Sequence, residues 1–104
     1  MSAKLDSLTA ASADRFRTAL QAQRTECVQH REEALAECAT SVPDPVAQRR
    51  SADLQRTIEE IDAALARVEA GTYGRCTGCD ASIPEERLEL RPFARTCVAC
   101  TAAA

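Results

Sequence analysis

Apolar positions recur at helical spacing along most of the chain. Leu54, Ile58, Ile61, Leu65 and Val68 step by four, three, four and three, which is the spacing of a heptad seam. Upstream, Phe16, Leu20, Gln23, Cys27, His30 or Arg31, Ala34 and Cys38 keep similar steps. The stretch from about Ser12 to Thr40 is rich in Ala, Leu, Arg, Glu and Gln and holds no Gly or Pro. It predicts one helix, with Ser12 or Ser7 as the N-cap. In Ser41-Val42-Pro43-Asp44-Pro45 two prolines fall within three residues, ending one helix and letting another begin. A second helix is expected over about Pro45 to Ala70, stopped by Gly71 just past its end. At 1.5 Å per residue it would be roughly 39 Å long.

So short a connection forces the two helices to pack antiparallel. Folding the chain about residue 44 sets Cys27 opposite Ile61, His30 opposite Ile58 and Leu20 opposite Val68. Phe16 then comes near Tyr73, and all three aromatics (Phe16, Tyr73, Phe93) are expected where the hairpin meets the C-terminal segment. The far end of the seam, with Ala34, Cys38, Ala47 and Ser51, is expected to be thin. His30, the single histidine, reads as a partly buried seam-edge residue. Arg31, Glu32, Glu33 and Glu37 on one helix, with Glu59, Glu60, Asp62 and Arg67 on the other, read as solvated faces of mixed sign.

Composition then limits what else the chain can build. It has 104 residues, no Trp and only 3% aromatics, so a large globular core is not expected. A chain this small and Ala-rich calls for a staple such as a metal or a disulfide. Six cysteines stand at 27, 38, 76, 79, 97 and 100. The last four form Cys76-Thr-Gly-Cys79 and, seventeen residues on, Cys97-Val-Ala-Cys100. Two such pairs are a strong zinc signal, because each turn aims two thiolates at a common point and two turns complete a tetrahedron. Four thiolates leave no open position, so one structural Zn²⁺ is expected. Cys27 and Cys38 lie nearly three helical turns apart, roughly 16 Å, too far for a disulfide. They read as small seam residues.

The fold class is therefore mainly α: an antiparallel two-helix coiled-coil hairpin with a C-terminal four-cysteine zinc finger. Residues 1–11 form a lead, 12–71 the hairpin with its tip near 41–45, and 72–104 the finger and a short tail. The net charge of −3 argues against DNA binding that rests on phosphate neutralisation, so no direct sequence-specific DNA binding is expected. No run is long and apolar enough to span a membrane, and the N-terminus lacks a secretory pattern. A soluble, cytoplasmic protein is expected.

The run Ile61-Asp-Ala-Ala-Leu65-Ala-Arg67-Val-Glu-Ala-Gly71-Thr-Tyr73-Gly74-Arg-Cys76, continued through Ile83-Pro84-Glu-Glu-Arg87-Leu88-Glu-Leu-Arg91-Pro92 to Cys97-Val-Ala-Cys100, resembles the DksA/TraR family of zinc-finger proteins. The resemblance covers about 40 residues in detail. It implies a regulator that binds bacterial RNA polymerase, placing the coiled-coil tip in the secondary channel to alter how promoter complexes form or decay. It also implies that the Arg-rich finger segment packs on the hairpin base. The chain departs from the family pattern in three places. The family tip commonly carries two aspartates three residues apart; here Asp44 supplies the first and Ala47 stands at the second. The chain ends four residues after Cys100, short of the helix that longer members use against polymerase, which makes ppGpp dependence doubtful. Asp80 replaces the glycine that usually follows the second cysteine; Asp tolerates the left-handed conformation, so the knuckle is expected to survive.

Asp44 before Pro45 is a favoured helix start, so the same carboxylate reads equally as an N-cap and as a tip contact. Arg49 and Arg50, just past it, read as an exposed helix face or as further contacts to a partner. A lone carboxylate cannot run acid–base chemistry, and no enzyme activity is expected. Two other readings of the same fold remain open at this level. One is a zinc-dependent protein-interaction adaptor. The other is a redox or zinc-sensing switch in which oxidation ejects the metal.

Overall fold

The structure, a computed structural model, describes residues 10–39 and 44–103. Four helices follow one another: α1 (Ala10–Cys38), α2 (Pro45–Ala70), α3 (Glu85–Leu90) and α4 (Val98–Ala103). The first two pack antiparallel as a hairpin, and the molecule measures 60 × 30 × 20 Å along its principal axes. None of the described helices is long and apolar enough to cross a membrane.

Local chemistry sets both ends of α2. Asp44 is in the extended region, and its Oδ1 accepts the Val46 and Ala47 N–H groups, each at 3.1 Å. Pro45 occupies the first helical position, where its missing N–H costs nothing. At the other end Gly71 adopts φ +79°. Its N–H reaches Val68 O at 3.2 Å, and the Thr72 N–H reaches Arg67 O at 2.9 Å. These two bonds make a Schellman motif, which only a residue at ease with positive φ closes without strain. α1 begins at Ala10, two residues before the expected start, so Ser12 lies inside the helix and does not cap it. Ser7, the other candidate, and most of the expected tip (41–43) lie outside the described residues.

The hairpin register is visible in a ladder of polar pairs. Arg17 bonds Glu69 (3.4 Å), Arg24 bonds Asp62 (2.6 Å), and Arg31 bonds Gln55. The rungs step by seven on both helices, as an antiparallel heptad pairing requires. The pairing falls within two residues of the register expected from folding about residue 44. Inside the ladder, Phe16, Leu20, Cys27, Ile58, Ile61, Ala64 and Val68 are buried in one cluster. Leu54 and Leu65 pack on it only partly buried, and Ala64 takes the central place that the heptad reading gave to Leu65. His30 is exposed, contrary to the seam-edge reading, while Arg31 is half-buried beside the seam. The extra step between Cys27 and Ala34 is taken at 31 because three residues of advance would leave position 30 rotated outward.

The same cluster continues into the C-terminal segment. Tyr73, Cys76, Ile83, Leu88 and Ala94 join it, with Phe93 packed alongside. The Phe16 and Tyr73 rings lie 5.6 Å apart, and the Tyr73 hydroxyl donates to Pro92 O at 2.7 Å. Burial pushes the Tyr73 phenol up to about 12, so it remains a hydrogen-bond donor across the physiological range. Arg15 of α1 reaches Glu85 (2.6 Å) and Glu89 (3.4 Å) of α3. Hairpin base and C-terminal segment thus share one core, and the three aromatics meet at their junction as expected.

Candidate functional site

The four C-terminal cysteines converge. Their Sγ atoms all lie within 4.8 Å of one another, and Cys79 Sγ stands 3.8 Å from Cys97 Sγ. Four sulfurs each about 2.3 Å from a zinc ion stand about 3.8 Å apart in a tetrahedron, so the cluster fits one Zn²⁺. An all-thiolate set closes the coordination sphere and marks the ion as structural.

The backbone builds this cluster from two turns. Cys76 donates its N–H to Ala81 O (2.7 Å) and accepts the Asp80 N–H (2.9 Å), folding the first turn back on itself. Arg75 and Ser82 form an antiparallel bridge across it. The turn closes at Asp80, which adopts φ +65° and is held by Arg75 Nη1 at 3.1 Å from both carboxylate oxygens. The left-handed residue expected there is present, and a side-chain clamp holds it in place. At Gly78 an added Cβ would sit 3.1 Å from Cys100 Sγ and 3.7 Å from Cys76 Sγ, so a side chain at this position would crowd the thiolates.

The second turn runs straight into α4, with the Thr101 N–H bonded to Cys97 O at 2.9 Å. This helix went unanticipated as a short tail; the Ala-rich run after Cys97, free of Gly and Pro, is the signal that reveals it. Thr77 N–H to Arg95 O (2.8 Å) ties the two turns together. Arg87 completes the tie, donating from Nε to Thr96 O (3.1 Å) and from Nη2 to Thr101 Oγ1 (3.2 Å). Pro84 precedes α3 as its N-cap residue.

Electrostatics prepare Cys76 in particular. Its sulfur accepts the N–H groups of Cys97 and Gly78, each at 3.3 Å. These bonds, that from Cys97 foremost, draw the thiol pKa down to about 6. Hydrogen bonding to Cys76 and the neighbouring thiols instead pushes Cys100 up to about 12. Zinc binds thiolates, so it must displace the protons that the raised thiols, Cys100 foremost, hold most tightly.

The tip candidates are not gathered into one site. Asp44 is half-buried and uses Oδ1 as the cap of α2; Arg49 is exposed. Arg50 pairs with Glu37 across the hairpin at 2.6 Å. Ala47 is 1% exposed, so position 47 faces the hairpin interior, while neighbouring Val46 is 75% exposed. Among the other cysteines, Cys27 is buried in the seam with its thiol pKa raised by desolvation, and Cys38 is half-buried.

Arg67 differs from its reading as solvated surface. It is half-buried, with Nη2 enclosed and without a hydrogen-bond partner, and burial lowers its pKa. It borders a cleft of about 260 Å³ between α2 and the finger, together with Glu59, Glu60, Phe93 and Arg95. Sequence spacing alone gave no sign of this, because the finger that covers Arg67 comes from more than twenty residues downstream.

Residues 71–104 match the model of the prokaryotic dksA/traR C4-type zinc finger. Over those residues the chain is similar to DksA/TraR-type fingers. Beyond the finger, the whole fold is similar to transcription factor DksA2 from Pseudomonas aeruginosa. The two superpose with a TM-score of 0.79 at 27% identity, over 97% of this chain and 86% of that one. The RNA polymerase binding protein and transcriptional regulator Dks from Chlamydia trachomatis shares the fold, with a TM-score of 0.64 at 22% identity, over 92% of this chain and 90% of that one. In sequence, the RNA polymerase-binding transcription factor DksA of Caulobacter vibrioides is 46% identical over 61 residues, 58% of this chain and 43% of that protein. The chain spans less than half the length of the curated relatives it matches. The DksA/TraR match starts at Gly71, where the Schellman motif ends α2, so family finger and structural finger begin together.

Proposed function

We propose that this protein is a transcription regulator, not an enzyme, that binds bacterial RNA polymerase directly and acts in the cytoplasm. In this reading the hairpin enters the secondary channel tip first and modulates the formation or stability of promoter complexes. The likeness to DksA2 over 97% of the chain carries the proposal, since it extends beyond the finger to the hairpin. The finger, fixed by zinc and by the shared core, holds the hairpin at one angle. Asp44, Arg49 and Arg50 form the leading end. One carboxylate oxygen of Asp44 caps α2, and the remaining oxygen is available to a partner.

The test is site-specific photo-crosslinking from position 46, which is exposed and does not cap the helix. With core polymerase, crosslinks to the secondary-channel wall are expected. Crosslinks elsewhere, or none at micromolar protein, would overturn the polymerase reading. The interaction-adaptor reading would then lead, favoured by the enclosed Ala47 where the family pattern has a second acid.

A further inference from the structure

The two halves of the hairpin are unequally packed. Toward the finger, the seam is filled by Phe16, Leu20, Ile58, Ile61 and Val68, all in the continuous core. Toward the tip, Ala34 and Ala47 are enclosed, at 0% and 1% exposure, yet stand outside that core cluster. An alanine methyl removes far less apolar area from water than an isoleucine or leucine, so the distal seam contributes little hydrophobic stabilisation.

Arg31 marks the boundary between the halves. The two inner rungs of the polar ladder pair Arg17 and Arg24 with carboxylates, but Arg31 faces the neutral amide of Gln55. The Gln55 amide in turn donates to Glu59 at 3.1 Å. The Arg31 Nε is enclosed and has no hydrogen-bond partner. A buried guanidinium nitrogen without a partner destabilises the state that buries it. Gln23 Oε1 is likewise unpartnered. It lies between Leu20 and Cys27 on α1, within the half of the seam that large apolar chains fill. Arg31 has only Ala34 as its next buried neighbour on α1 toward the tip. Across the hairpin, the Arg50–Glu37 pair is about half exposed at both side chains, and such pairs hold weakly.

We propose that the hairpin is built in two tiers, and that its described distal segments, 32–38 of α1 and 45–54 of α2, open as one local unit while the base and the finger stay closed. Opening frees the Arg31 guanidinium to water and parts the Ala34 and Ala47 faces. The distal half thereby conforms to whatever surface it meets, and the base keeps its direction. This rests on packing alone and stands apart from the identity of the partner.

Hydrogen exchange on the zinc-loaded full chain tests it, read at residues 33–38 and 49–53 against 20–27 and 58–68. Distal amides are expected to be protected at least about 100-fold less than basal ones. Arg31→Met, which replaces the half-buried guanidinium and its unpartnered Nε by an apolar chain, should slow distal exchange about tenfold on both helices. Ala34→Gly should speed it about fivefold on both. Basal protection should stay unchanged in each variant. Simple fraying of helix ends would instead give exchange graded along each helix and indifferent to position 31. Graded exchange, uniform protection, or variants that move both tiers together would overturn the proposal.

Discussion

The finger and the distal hairpin are stabilised in opposite ways, and their sequences are legible for opposite reasons. In the finger, four thiolates at one metal position, a left-handed Asp80 clamped by Arg75, and Arg87 spanning the second turn leave almost no alternative arrangement. Among the described residues of the distal hairpin, the buried positions are Ala34 and Ala47, and the Arg50–Glu37 pair is half-exposed. The finger is specified by chemistry that few residue types can supply. The distal half is specified by helix propensity and by attachment to a well-packed base.

The largest way to break this contrast is to remove the metal. Zinc contributes on the order of 10 kcal/mol to folding in small metal-dependent modules. Chelation or Cys79→Ser should therefore unfold the finger and loosen the base that shares its core. The loss should be seen in near-ultraviolet circular dichroism of Tyr73, with far-ultraviolet helix signal partly retained. Acid acts on the same site. Backbone N–H groups draw the Cys76 thiol down while the neighbouring thiols push Cys100 up, so protons compete with zinc for the cluster as pH falls. Zinc affinity should thus climb with pH from 5.5 to 8 in a chelator competition. A flat profile would contradict the assigned thiol environments.

The next test sharpens the division between base and tip. Phe16 is 2% exposed and touches the finger through Tyr73. Phe16→Ala should cost about 3–5 kcal/mol in urea unfolding, since it opens a cavity exactly where hairpin and finger join. At the tip the effects are smaller. Asp44→Ala should destabilise by about 1 kcal/mol through loss of the α2 cap, whereas Asp44→Asn keeps the cap and removes the charge. Comparing the two in polymerase binding separates capping from contact: a defect in Asp44→Asn at unchanged stability would assign the charge to a partner. Arg15→Ala, which deletes a half-exposed pair with Glu85 and Glu89, should change stability by less than about 1 kcal/mol.

Much of this architecture was legible because it depends on local or periodic signals. The bounds of α2 were legible from Asp44-Pro45 and Gly71, whose capping chemistry lies within a few residues. The antiparallel pairing followed from the short connection and the heptad steps of Leu54 to Val68, with the register displaced by two residues from the one expected. The zinc cluster followed from two pairs of thiols at metal spacing. The errors share a cause as well. The choice between His30 and Arg31 depends on the rotation of α1 against its partner, and the period of 3.6 leaves both near the seam. Ala64 outranks Leu65 at the centre because a small residue lets the helices approach closely, which spacing does not encode. The end of the chain after Cys97 carried helix propensity that the metal motif obscured.

By itself the sequence determined the elements and the metal chemistry: which residues start and stop the hairpin helices, and which four side chains can bind zinc. Those properties reside in backbone dihedral preferences and in the donor atoms of individual residues. Only the tertiary structure decided how firmly each part is held. It set Pro92 behind the Tyr73 hydroxyl, enclosed Arg67 under the finger, and left Arg31 facing an amide where its neighbours on the ladder face carboxylates. Burial and pairing belong to residues far apart in the chain, so no local pattern carries them.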